Sequence, residues 1–155
     1  MNIVTDTDIL FDSIKTRNPD NILTRLKNAE HDIFIPLTVL GEVMLIGLSK
    51  PTRKTEAIAV MDYCDGIDPI MLTPNLKLRK CCKCIDETDM RIHGLTDRTN
   101  LGYATAYNTQ ELIIAYYVTT DEELPYLRLR CKETCDLNPP RIIPPQTLRR
   151  TLLNK

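Results

Sequence analysis

The chain has 155 residues, 43% of them hydrophobic and 26% charged, a composition that suits one globular domain with a real core. Twenty Lys plus Arg stand against 21 Asp plus Glu, a net charge of -1, so no overall positive field draws the protein to nucleic acid or anionic lipid. No apolar run approaches the roughly 20 residues that span a bilayer, and the start at polar Asn2 does not resemble a cleaved signal; a soluble cytoplasmic protein is expected.

In chain order, a strand is expected over Asn2–Thr5, running directly into Asp6-Thr7-Asp8. That places a carboxylate at the carboxyl end of a strand, where open parallel sheets collect their ligands, although Asp6 or Asp8 could equally cap the next turn. A helix follows over Asp20–Ala29, then a strand over Ile33–Ile35. The next helix, Pro36–Leu48, carries no charge except Glu42, which predicts burial nearly all round. An ionised carboxylate there costs several kcal/mol unless it is paired, hydrogen-bonded or bound to metal.

Further helices are expected over Thr52–Tyr63 and Leu76–Ile92, separated by a strand at Ile70–Leu72. Asp97 opens another helix, Asp97–Tyr107, in the manner of an ordinary N-cap, and Gly102, Ala104 and Ala106 along it permit close approach of a neighbour. The strand Leu112–Thr119 leads through Thr119-Thr120 to Asp121, a second acid just past an apolar run, which alone reads as well as a turn cap. A last strand, Arg141–Ile143, is framed by prolines that confine it to an edge, and a helix over Thr147–Leu153 closes the chain. Pro36, Pro51, Pro74 and Pro145 each stand where a helix can begin. This alternation predicts a single α/β domain over 1–155, a three-layer α/β/α sandwich around a mostly parallel sheet of about five strands.

Six cysteines are present, and without a dense, evenly spread framework they read as thiols. Cys81 to Cys84 with Cys131 to Cys135 only loosely approximates zinc spacing; packing thiols or a Cys131 to Cys135 crosslink rank ahead. His31 and His93 have no ligand-like neighbour.

Taken as a set, these acids resemble the motifs of the PIN-domain nucleases, in particular the small stand-alone members of VapC toxin type. Asp6-Thr7-Asp8-Ile9-Leu10 is similar to that family's first motif, Glu42 in Leu40-Gly41-Glu42-Val43 to its helix-borne acid, Asp97 with Leu101, Gly102 and Ala104 to its third, and Asp121 after Thr119 to its fourth. The tail Ile143-Pro144-Pro145-Gln146-Thr147-Leu148 fits as well. Asp8 replaces a usual Asn, and Arg98 and Asn100 depart from the third motif.

The resemblance implies an endoribonuclease that hydrolyses RNA phosphodiester bonds with Mg²⁺ or Mn²⁺. Hard dications take oxygen, so Asp6 and Asp97 are expected as direct ligands and Glu42 and Asp121 through water or a second ion. Asp8, Thr7 and Thr119 would orient those carboxylates from behind. Arg98, Arg53 and Lys54 head the candidate RNA contacts, with Lys77, Arg79, Lys80, Lys83 and Arg91 after them; most of these charges read as solvated helix faces. A homodimer and a small antitoxin protein are the partners implied. Two rivals stand beside this reading. Haloacid-dehalogenase-like phosphohydrolases also begin with Asp-x-Asp, yet Leu10 occupies the place where they carry Thr or Val; a catalytically inactive RNA- or protein-binding scaffold is the other.

Overall fold

A computed structural model describes residues 1–15, 21–89, 94–110, 114–135 and 137–153. Its strands are β1 (Asn2–Thr5), β2 (Asp32–Pro36), β3 (Ile70–Leu72), β4 (Ile114–Val118) and β5 (Arg141–Ile143). All pair in parallel, in the order β3-β2-β1-β4-β5. Parallel pairing requires crossovers, and the helices supply them: α1 (Thr7–Lys15), α2 (Ile22–Asn28), α3 (Leu37–Ser49), α4 (Lys54–Ile67), α5 (Leu78–Asp89), α6 (Leu95–Gln110), α7 (Leu124–Cys135) and α8 (Pro145–Leu148).

Because strand side chains alternate, each strand feeds two cores. Ile3, Ile33, Ile35, Val118 and Ile143 point to one face, where residues of α1 to α4 and Leu148 cover them. Val4, Phe34, Leu72, Tyr117 and Ile142 point to the other, beneath α5, α6 and α7. The expected sandwich is therefore present, with every predicted strand in place and β5 at an edge.

Several boundaries differ. Two helices that the sequence did not announce, α1 and α7, bury Ile9, Leu10 and Phe11, and Leu124, Leu127 and Cys131 respectively. Pro125 stands in the first turn of α7, the same punctuation that marks the other helix starts. Asn75, rather than Pro74, sets the start of α5: its side chain accepts from the N–H groups of Lys77 and Leu78. α6 begins two residues before Asp97, so Asp97 lies in the first turn and is not the cap. The expected starts at Asp20 and Leu112 and the expected end at Ile92, like Arg91 and His93, lie outside the described residues.

α3 corrects a stronger expectation. Only Val39 and Val43 are buried, while Met44, Leu45 and Leu48 are 56%, 65% and 79% exposed. The helix is uncharged apart from Glu42, yet it packs on the sheet along one stripe and turns the rest outward.

The cysteines hold a second correction. Cys84 of α5 and Cys135 of α7 form a disulfide with Cα atoms 6.3 Å apart, whereas Cys131 is free and buried. Cys131 and Cys135 sit one turn apart on α7, but Cys131 joins the sheet-facing core and Cys135 packs beside Cys81 and Cys84. The helix thus presents the two thiols to different neighbours. Close α5–α6 packing depends on Gly102, where an added Cβ would stand 2.5 Å from the Cys82 sulfur.

Candidate active site

The strand order creates the site. From β1 the chain builds outward through β2 to β3, then crosses back to lay β4 on the opposite side of β1. Connections leave the carboxyl ends of β1 and β4 in opposite directions, which opens a crevice between them. The Asp6 N–H donates to the Val118 carbonyl at 3.2 Å, fixing the two strand ends side by side.

Asp6 forms the floor of this crevice and is only 6% exposed. Its Oδ1 accepts from the Thr7 N–H at 2.7 Å and from Asn100 Nδ2 at 3.4 Å; its Oδ2 accepts from the Thr119 hydroxyl at 3.0 Å. Burial pushes its carboxyl up to about 6; the Thr7 and Thr119 donors oppose that shift, and the charges of Asp97 and Asp8 add to it. Thr7 ties Asp6 to the second acid, because its hydroxyl donates to Glu42 Oε2 at 2.5 Å.

Asn100 completes the scaffold. It is fully buried one helical turn beyond Asp97 and accepts from the Thr38 hydroxyl at 2.5 Å while donating to Asp6. α3, α6 and β1 are thereby joined through one amide. Asp121 serves partly as a cap: its Oδ1 accepts from the N–H groups of Glu123 and Leu124 at the start of α7. Its own N–H donates to Thr119 Oγ1 at 3.1 Å. Asp8 is exposed on α1 and accepts from the Thr120 hydroxyl at 3.4 Å.

Tyr117 shows how these acids gather. Its side chain is fully buried, its hydroxyl has no hydrogen-bond partner among the described residues, and its pKa lies well above the ordinary phenol range. Burial is the main cause, and the charges of Asp6, Asp97, Glu42 and Asp121 add to it. They form an electrostatic neighbourhood rather than a closed cage: among the described residues no group of three His, Cys, Asp or Glu side chains is disposed to hold an ion. A hard dication that keeps several waters needs only one or two direct carboxylates, and Asp6 and Asp97, whose charges act on one another, are the pair that would supply them.

The basic residues expected at RNA are differently engaged. Arg98 is ion-paired with Asp86 and lies 3.6 Å from Asp89, both on α5, with its side chain 11% exposed. Its charge is answered within the fold. Arg53 pairs with Glu56 at 2.9 Å and lies over the Phe11 ring, 4.3 Å from its centroid. Lys54 is exposed at the start of α4. Beside Asp121 a groove of about 400 Å³ is lined by Thr119, Thr120, Glu122, Pro144 and Gln146.

Sequence reasoning missed Thr38, Asn100 and Tyr117. Asn100 carried a signal, since a polar residue three places after Asp97 shares its helix face. Tyr117 carried none, because an aromatic in an apolar strand reads as core.

No protein-family model matches the chain, and no curated protein matches it. Among solved structures it is similar to a crystal structure described as VapBC2 from Rickettsia felis bound to a DNA fragment from their promoter. The two are 17% identical, the match covers 93% of this chain and 98% of that chain, and the TM-score is 0.65. At this identity the likeness is one of fold, a PIN-like arrangement of a five-stranded parallel sheet between helices.

Proposed function

We propose that the protein is a metal-dependent endoribonuclease, the toxin of a toxin-antitoxin pair acting in the cytoplasm. The supporting observation is the buried Asp6 at the carboxyl end of β1, tied through Thr7 to Glu42 and through Thr119 to the end of β4, with the charges of Asp97 and Asp8 acting on it. The charges of Asp97 and Asp8 repel that of the buried Asp6, and a dication would relieve that repulsion. Asp6 and Asp97 would hold Mg²⁺ or Mn²⁺, with Glu42 and Asp121 reaching it through water. When bound, the ion neutralises charge on the scissile phosphate and makes water a competent nucleophile at neutral pH.

The chain's own residues prepare that chemistry. Thr7 and Thr119 fix both oxygens of Asp6, so its carboxylate cannot rotate away. Thr7 also orients Glu42, and Asn100 ties α6 to Asp6. The groove beside Asp121 offers hydroxyls and Gln146 to a sugar-phosphate strand. Single-stranded RNA incubated with the protein and Mn²⁺ should be cut internally, and EDTA should stop the cutting. Phosphate release from small esters without RNA cleavage would reject the assignment.

The homodimer has its own support. Leu37, Met44, Leu45 and Leu48 of α3 and Ile58 of α4 are all about half exposed or more, and a groove of about 270 Å³ runs between the two helices. An apolar surface of this kind marks an interface, and a second copy of the chain is the occupant proposed. Native mass spectrometry is expected to show a dimer and Leu48→Glu a monomer with an unchanged melting temperature; a monomeric parent would remove the dimer. A small antitoxin protein covering the acidic crevice is proposed on the likeness of fold to VapBC2. No helix among the described residues is long and apolar enough to cross a membrane.

A further inference from the structure

Tyr117 stands two residues before Thr119, which donates to Asp6, and its buried hydroxyl has no hydrogen-bond partner among the described residues. Tyr117 pairs in register with Val4 of β1 and Ile142 of β5, so its ring is fixed between neighbours on both sides. The ring lies in the core that also holds Leu101, one turn after Asp97, and Leu124, the first residue of the helix that Asp121 caps. Its position is therefore shared by the starts of α6 and α7. The side chain is fully buried, and its oxygen meets no partner among the described residues. A buried hydroxyl in that state costs about 1–3 kcal/mol, a penalty that a Phe of the same shape would avoid.

We infer that Tyr117 is a positioning residue of the loaded site, whose hydroxyl donates to a water held between the carboxylates of Asp6 and Asp97. The inference rests on the metal-dependent reading and deepens it. A phenol suits the task because it donates while remaining neutral, and burial beside four acids keeps its proton on. A lysine there would cancel the charge that attracts the ion. Outer partners of this kind typically change metal affinity by about 10–100-fold when removed.

Tyr117→Phe deletes one oxygen and leaves the ring to fill the core. Without metal, the variant is expected to melt at or above the parent temperature, because an orphaned donor has gone. Calorimetric titration with Mn²⁺ should show a Kd raised about tenfold or more. Equal Mn²⁺ affinity in parent and variant would overturn the inference and leave the metal reading standing. A metal-free variant that melts several degrees lower would overturn it too, since the hydroxyl would then have a partner within the protein. Failure of the parent to bind Mn²⁺ would remove both readings, and that outcome is distinct from the other two.

Discussion

Asp6→Asn is expected to lower Mn²⁺-dependent RNA cleavage by about a thousandfold or more, on the order of 4 kcal/mol in the barrier, while stabilising the protein when no metal is present. The two effects share one cause. Asp6 is buried, and its folded carboxyl is raised from 3.8 to about 6. A folded pKa above the unfolded one means that the native state binds more protons between those values. Stability therefore falls as pH rises from about 4 to 6, by about 3 kcal/mol at full ionisation.

An amide at position 6 does not ionise. Its oxygen still accepts from Thr7 and Asn100, and the Thr119 hydroxyl, which can accept as well as donate, faces the new NH₂ group. Metal-free melts across pH 4 to 8 should show parent and variant alike at the acid end and the variant higher at neutral pH. Added Mn²⁺ should raise the parent alone. A variant that cleaves RNA at the parental rate would remove Asp6 from the chemistry.

The second large effect concerns the Cys84–Cys135 bond, which closes a loop spanning 51 residues. On the chain-entropy model, opening a loop of that length costs about 4 kcal/mol, or on the order of 10 °C in melting temperature for a chain of this size. Dithiothreitol should lower the parent's melting temperature by that amount and leave Cys84→Ser, already lowered, where it is. An equal response in both would assign the effect to other thiols. In a reducing cytoplasm the bond would stand open, and α5 would then be held by its packing on α6 and α7 alone.

Much of the sheet was legible because burial on both faces demands apolar strands, and every predicted strand is present. Helices were harder to read where chemistry distracted from periodicity. Asp6-Thr7-Asp8 reads as a strand-end site, yet it also starts a helix whose Ile9, Leu10 and Ile14 pack into one core. Asp121 was open to two uses, capping and ligation, and its Oδ1 is occupied by the first. Glu42 reads from the sequence as a carboxylate in a buried helix, whereas the helix around it is far from buried and its partner is the Thr7 hydroxyl. Composition reveals that a helix is apolar; it does not distinguish a face pressed on the core from one turned outward. The Cys84–Cys135 pairing was beyond reach because it depends on how α5 and α7 lie across α6, a tertiary fact with no local spacing.

The short fifth strand has a wider consequence. Arg141, Ile142 and Ile143 form the whole of it, and Pro139 with Pro140 before and Pro144 with Pro145 after supply ring carbons where a pairing chain would need amide hydrogens. Misfolded copies cannot readily template on that border, so ribbon-like aggregation from this side is blocked by covalent geometry.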